Sequence, residues 1–289
     1  MADEIVLWGE RLVAAGEVRI SPWDRGFLFA DSVYEVIPVY DGTAFLLDAH
    51  LARLERSLAG VAIARPWSRE RGGELLRALV RANGLRDGLL YLQITRGEAR
   101  PRDHRLPDPA PSPTVFAATS PHPPPERGEA ARGITATLVP DERWGRCDIK
   151  TTALLANVLA REEARRRGAA EALLVRDGVL TEGSSSNLFL VRAGRVFTPA
   201  DGPHVLPGVT RDFVVARLED AGITVERRTL PLSGIATSEE LWITSSGRGL
   251  VRVADLDGRA FPEPPGGGLF ARAWDLFEAG RRAEIARSP

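Results

Sequence analysis

Several residues are scarce in this chain, and each scarcity excludes something. Cys147 is the only cysteine in 289 residues, so no intrachain disulfide and no all-cysteine metal site is possible. A reducing cytoplasm is the simplest expected home. No apolar run approaches the roughly 18–20 residues of a membrane span. The N-terminal stretch, with Asp3 and Glu4, lacks the charged-then-apolar order of a signal peptide. Net charge is also nearly absent. At −1 it offers no field to gather nucleic acid or an anionic membrane. The run Arg165-Arg166-Arg167 reads most simply as a solvated helix face near a C-terminus rather than a phosphate-binding patch.

Lysine is the most telling scarcity. Of the 38 lysines and arginines, Lys150 alone is lysine. A coding bias toward arginine explains the background but not the exception. Arginine cannot become a neutral nucleophilic amine near neutral pH, whereas lysine can. Imine chemistry with an aldehyde cofactor is the commonest use of such an amine. Two readings stand on the count alone: a covalent role for Lys150, or chance survival of a surface lysine.

What is present is ordinary for a globular protein, with 44% hydrophobic and 27% charged residues. The length favours two modest domains. Val33 to Tyr40 reads as a strand, Asp41-Gly42 as a hairpin turn, and Thr43 to Leu47 as the returning strand. Asp48 is placed to cap a helix with Leu51, Leu54 and Leu58 on its apolar side, ended by Gly60. A second helix is expected from Ser68 to Asn83, then strands at Leu89–Thr95 and Thr114–Ala118, with a long Pro-rich loop, Gly97 to Pro113, between them. Pro121 to Pro125 reads as a linker. Beyond it lie a strand at Ile134–Val139 and a helix whose face carries Leu154, Leu155, Val158 and Leu159. Further strands are expected around Leu173–Val175, Leu188–Val191 and Leu241–Thr244, with helices at Thr210–Asp220 and Ala271–Ala286. The expected domains are residues 1–120, a linker at 121–127, and a larger C-terminal domain, 128–289, carrying Lys150. No Gly-x-Gly-x-x-Gly of the dinucleotide type occurs.

Four stretches carry a resemblance. They are Asp24-Arg25-Gly26-Phe27 with Ser32-Val33-Tyr34-Glu35-Val36; Thr95-Arg96-Gly97 with Pro101-Arg102-Asp103-His104; Arg146-Cys147-Asp148-Ile149-Lys150; and Thr181-Glu182-Gly183-Ser184-Ser185-Ser186-Asn187-Leu188-Phe189. Together they resemble the fold-type IV pyridoxal-phosphate aminotransferases, most of all their D-amino-acid branch. The resemblance implies an α+β, two-domain fold with the cofactor, pyridoxal 5′-phosphate, in the cleft between the domains. It implies transamination of D-amino acids with a 2-oxo acid, pyruvate or 2-oxoglutarate, through Lys150 as the Schiff-base lysine. Glu182 would pair with the ring nitrogen. Arg53, Val209, Thr210 and Ser246 would hold the phosphate, and Leu206 would pack on the ring. The substrate carboxylate would lie among Tyr34, Arg102 and His104, with the last two supplied by the partner subunit of a homodimer. Arg248, between two glycines in the loop after Ser246, is the expected receiver of a second carboxylate; a solvent-facing or ion-paired Arg248 is the alternative. Ala30-Asp31-Ser32 and Ser245 to Gly249 depart from the pattern of that branch. Branched-chain aminotransferase and aminodeoxychorismate lyase, on the same fold, are the alternative activities.

Overall fold

The computed structural model describes residues 4–287, and contacts divide the chain into two compact units. The first runs through Pro124 and includes Ile149–Ala153; the second holds Pro125–Asp148 and Leu154–Ala286. Lys150 thus packs with the first unit, which corrects the expectation that the C-terminal domain carries it. The reason is local: Ile149 is buried in the first unit's apolar core.

The first unit is built from β1 (Ile5–Trp8), β2 (Arg11–Ala14), α1 (Arg25–Phe29), β3 (Ser32–Tyr40), β4 (Thr43–Ala44), α2 (Leu47–Gly60), α3 (Arg69–Ala82), β5 (Gly88–Thr95) and β6 (Thr114–Pro121). Its six-stranded sheet has the order β2-β1-β6-β5-β3-β4, antiparallel throughout. Alternation of side chains along a strand sorts the two faces. Val33, Glu35, Ile37 and Val39 fall on one side, in register with Ile94, Leu92, Leu90 and Gly88. That side packs under Leu51, Leu54 and Leu58 of α2 and Leu75, Leu76 and Leu79 of α3. Each buried leucine contributes about 1.5–3 kcal/mol. Ser32, Tyr34 and Val36 fall on the other side, beside Gln93 and Tyr91.

Two local expectations change here. β4 stops at Ala44, because Leu47 is already the first, buried residue of α2. Leu46, in the left-handed region at φ 54°, takes the N-cap position without a side-chain cap, and Asp48 lies inside the first turn, where its charge suits the helix dipole.

The second unit follows as α4 (Arg127–Arg132), β7 (Ile134–Pro140), α5 (Leu155–Arg166), β8 (Glu171–Arg176), β9 (Val179–Gly183), β10 (Asn187–Arg192), β11 (Arg195–Thr198), α6 (Val209–Asp220), β12 (Val225–Arg227), β13 (Leu230–Pro231), β14 (Glu240–Ser245), β15 (Gly249–Leu256), β16 (Arg259–Ala260) and α7 (Gly268–Arg287). Its ten-stranded mixed sheet runs β12-β11-β10-β14-β15-β7-β8-β9-β13, with β16 on β15. β7 pairs parallel with both β8 and β15. The core gathers Leu188, Phe189, Trp242, Val253, Phe270 and Phe277. Glu240 caps α7, its carboxylate accepting from the Leu269 and Phe270 N–H groups at 2.8 and 3.0 Å. α5 reverses its expected orientation. Leu155, Val158 and Leu159 are 72%, 59% and 57% exposed, while Ala160 and Ala164 pack on Val139, Ala172 and Leu174. Small alanines let the helix sit close to the sheet, which turns the larger residues outward. Among the described residues no helix is long and apolar enough to cross a membrane.

Candidate active site

Lys150 lies in a strap, Ile149–Ala153, laid against β3. Ile149 anchors it so closely to the end of α2 that a methyl group on Gly60 would come within 2.9 Å of the Ile149 Cδ1. The backbone is tied on both sides of the lysine. Lys150 N–H donates to Ser57 Oγ at 3.2 Å, and its carbonyl accepts from Tyr34 N–H at 3.0 Å. Thr152 N–H donates to the Ser32 carbonyl at 3.1 Å, and the Ser32 and Thr152 hydroxyls bond to each other. The Lys150 Nζ stands 4.1 Å from the centre of the Tyr34 ring.

Arg53 reaches from α2 to Glu35, which alternation has placed among apolar neighbours and which is 0% exposed. A lone buried carboxylate is costly, and three contacts offset that cost. Arg53 donates through Nε and Nη2 at 2.8 and 2.7 Å, and His50 Nδ1 lies 2.8 Å from the same carboxylate. Burial pushes the Glu35 pKa up, but Arg53 and then His50 more than reverse this, bringing it to about 2. Burial lowers the His50 pKa, with Arg53 and Lys150 adding to it against Glu35. A neutral ring then donates through Nδ1, and Nε2 is a buried acceptor without a hydrogen-bond partner. On the opposite face of the sheet the Tyr34 and Tyr91 rings lie 5.8 Å apart, and Tyr91 donates to Gln93 at 2.8 Å. Burial, then Tyr34, raises the Tyr91 hydroxyl to about 12.

The Gly97–Pro113 loop is organised from α1. Asp24 caps that helix, accepting from Gly26 N–H at 2.7 Å and from the hydroxyls of Thr95 and Thr114 at 3.0 and 2.6 Å. Arg25 donates to the Asp103 carbonyl at 2.6 Å and to Asp31 at 2.8 Å. Asp31 also takes Arg96 in a forked pair. The Ala30-Asp31-Ser32 departure is therefore structural on both sides: Asp31 ties down Arg25 and Arg96, and Ser32 ties down the strap. Held this way, the loop brings Arg102 and His104 together on Phe29, with the guanidinium carbon 4.4 Å and the imidazole centre 5.2 Å from its ring. Both residues are exposed. Within this unit their described ring contacts are with Phe29, not with Tyr34.

In the second unit, Glu182 is buried at the end of β9. One carboxylate oxygen accepts from Asn187 Nδ2 and from the Leu206 N–H, both at 3.1 Å. The other pairs with Arg143. Asn187 also donates to the Leu206 carbonyl at 2.9 Å, and it fills the space above Gly208 so fully that a Cβ there would lie 1.7 Å from its Oδ1. Leu206 and Gly208 are thus wrapped around Asn187 and Glu182. α6 begins directly after them with buried Val209 and Thr210 and no side-chain cap, so its first-turn N–H groups have no intrahelical acceptor. The hydroxyls of Ser184 and Ser186 go to Glu171 instead. Ser246 lies in the loop between β14 and β15. Arg248 donates through Nη2 to the Ala170 carbonyl at 3.2 Å, and its charged neighbours are Arg161, Glu171 and Glu129. None of these belongs to the group around Glu182, so no contact supports the expectation of a guanidinium set for a second carboxylate.

Sequence reasoning missed Glu35, His50 and Arg143. Glu35 had a signal, a charge at an inward position of an otherwise apolar face. Arg143 had none among so many arginines.

Residues 32–256 match the amino-transferase class IV family. The chain is 38% identical over 283 residues to the D-alanine aminotransferase of Bacillus licheniformis, covering 98% of this chain and 99% of that protein. The Escherichia coli branched-chain amino acid aminotransferase has the same fold, with a TM-score of 0.88 at 24% identity, covering 98% of this chain and 96% of that one. So does a T.th. branched-chain amino acid aminotransferase with pyridoxamine 5′-phosphate, at 0.85 and 23%, covering 100% and 96%. The chain belongs to the class IV aminotransferases.

Proposed function

We propose that this aminotransferase moves the amino group of D-amino acids to a 2-oxo acid, with D-alanine or D-glutamate as donor and pyruvate or 2-oxoglutarate as acceptor. The cofactor is pyridoxal 5′-phosphate, and the residues present fit it. The amine of Lys150 stands over the Tyr34 ring on a backbone tied at both sides. Arg53 is held rigidly by Glu35, and the start of α6 offers uncapped N–H groups to a phosphate. Bound, the cofactor supplies an aldehyde carbon for the amine and a ring that withdraws electrons.

Lys150 would carry the cofactor and move the proton at substrate Cα. Tyr34 lies beneath the lysine amine and orients it. Arg53, Val209, Thr210 and Ser246 would hold the phosphate, Leu206 would pack on the ring, and Glu182 would keep the ring nitrogen protonated. The substrate class rests on one observation above all, the gathering of Arg102 and His104 on Phe29. A guanidinium and an imidazole side by side suit a carboxylate. Their exposure fits residues that complete the site of a second copy in a homodimer, and the outward Leu155, Val158 and Leu159 suit burial there. The D-alanine aminotransferase of Bacillus licheniformis supports the same class. The single, buried Cys147 suits a cytoplasmic setting.

The test is a first half-reaction followed by absorbance, with D-alanine, D-glutamate, L-leucine and an (R)-amine as donors. D-alanine or D-glutamate should exceed its L-enantiomer by at least about 100-fold, near 3 kcal/mol of discrimination. L-Leucine as the best donor would instead favour branched-chain transamination, and release of 4-aminobenzoate from aminodeoxychorismate a lyase. Borohydride reduction followed by peptide mapping should place the pyridoxyl group on Lys150 alone.

A further inference from the structure

Glu182 does not stand alone. Its carboxylate is the end of a row of alternating charges buried in the second unit. Arg143 holds Glu182 through Nη1 and clasps Asp141 through Nε and Nη2 at 2.8 and 2.9 Å. Asp141 in turn takes the Arg176 guanidinium at 3.1 Å and the Thr181 hydroxyl at 3.0 Å. The side chains of Asp141, Arg143 and Glu182 are only 0%, 7% and 6% exposed. Arg143 Nη2 is further fixed by the His204 carbonyl at 3.1 Å. Every link is therefore held at both ends, and the guanidinium cannot swing away from either acid without taking a charged partner from a buried carboxylate.

We propose that Arg143 is a positioning residue that sets how strongly Glu182 holds a proton on the cofactor's ring nitrogen. This rests on the reading that Glu182 faces that nitrogen. The chemistry follows from sharing. A carboxylate already paired with a buried guanidinium is a weaker base than a solitary one, so it stabilises a neighbouring pyridinium less. Asp141 sets the degree of sharing, because it competes with Glu182 for the same guanidinium. Two substitutions should therefore act in opposite directions. Loss of Arg143 leaves Glu182 more basic and tightens its hold on the ring proton. Loss of the Asp141 charge turns Arg143 fully onto Glu182 and loosens that hold. A purely structural role for the row would make both variants worse in the same sense.

The experiment compares apo-enzyme binding of pyridoxal phosphate with that of its 1-deaza analogue, which lacks the ring nitrogen. The ratio of the two dissociation constants reads the nitrogen contact alone, without turnover. Arg143→Gln should raise the preference for the natural cofactor by roughly tenfold, the equivalent of about one pKa unit. Asp141→Asn should lower it by a few-fold, and Arg143→Lys should restore the parental ratio to within about threefold. Because the variants report opposite signs, failure of one to fold leaves the other decisive. An unchanged ratio in whichever of Arg143→Gln and Asp141→Asn folds, or a shift of both in one direction, would overturn the proposal. If the parental enzyme does not discriminate between the cofactors and Glu182→Gln changes nothing, it is the reading of Glu182 that fails instead.

Discussion

Each unit buries a glutamate against an arginine, and the two pairs are built in opposite senses. In the first unit Glu35 is sealed in the core, and what it carries is Arg53, gripped on two nitrogens, with His50 on the same carboxylate. In the proposed reading the cation would meet the cofactor phosphate, and the acid is its support. In the second unit the order is reversed in that reading: Glu182 would meet the ring nitrogen, and Arg143 holds it, with Asp141 behind. An anionic phosphate and a cationic ring nitrogen call for these two polarities. The comparison also separates two costs: a support lost from the core destabilises the fold, whereas a functional group lost slows the reaction.

The largest expected effect breaks the first pair. Arg53→Leu leaves Glu35 charged and buried beside His50 alone, a change that costs about 3–5 kcal/mol when one partner of a buried pair is removed. Glu35→Gln together with Arg53→Leu should recover more than half of that loss in chemical denaturation, because the stranded charge is gone. Recovery of stability without recovery of cofactor affinity would separate support from function. If the double variant is as unstable as the single, Glu35 is not the source of the cost.

Breaking the second pair from its functional end should act on rate. Glu182→Gln keeps the shape around Asn187 and Leu206 but removes the charge, and loss of such a contact costs about 2.7–4 kcal/mol, or roughly 10²–10³ in rate. Single-turnover kinetics with D-alanine are the measurement. An unchanged rate constant would mean that the ring nitrogen is not its partner.

These two pairs also mark what the sequence made legible. Lys150 stood out because arginine had replaced every other lysine, and Glu182 because it opens a run of small polar residues. The hairpin at Asp41-Gly42 was readable because its turn demands positive φ in succession, and both residues show it. The supports were not readable. His50 and Arg53 meet Glu35 only after α2 has folded across the sheet, and Arg143 meets Glu182 across a strand hairpin. Lys150 was assigned to the wrong unit because chain order says nothing about a strap that leaves one unit and folds with the other. The face of α5 was misread for a related reason. Apolar spacing identifies a stripe but does not say whether the stripe or the alanines beside it will meet the sheet.

Acid should distinguish the pairs more gently. The His50 pKa is lowered in the folded state, so its contribution to stability is complete above the ordinary value of 6.5 and declines as pH falls below it. Glu35 is lowered from 4.5 to about 2, so its contribution holds above 4.5 and declines as pH falls toward 2. The melting temperature should therefore begin to fall below about pH 6.5 and fall further below about 4.5. His50→Gln should flatten the first part of that decline and leave the second. A decline of the same shape in both proteins would mean that His50 is charged in the folded state.

The smallest expected effect concerns Arg248, which belongs to neither pair. Its position beside Gly247 and Gly249 suggested a guanidinium set to take a second carboxylate. Its Nη2 is instead committed to the Ala170 carbonyl, and Nη1 is buried without a hydrogen-bond partner. Burial first, and then the like charge of Arg161, lower its pKa, while Glu171 and Glu129 act against them. With burial and Arg161 outweighing Glu171 and Glu129, the cation gains little from its charge, so Arg248→Met, which keeps much of the packing, should change stability by less than about 1 kcal/mol. The ratio of kcat/KM for D-glutamate to that for D-alanine should stay within about twofold of the parental value, because no contact joins Arg248 to the residues around Glu182. A charged hydrogen bond to the substrate is worth about 1.5–3 kcal/mol, so a fall of about tenfold or more in that ratio would put Arg248 back over the substrate. It would also show that the loop between β14 and β15 rearranges when an acidic donor binds, since the bond to Ala170 would have to break first.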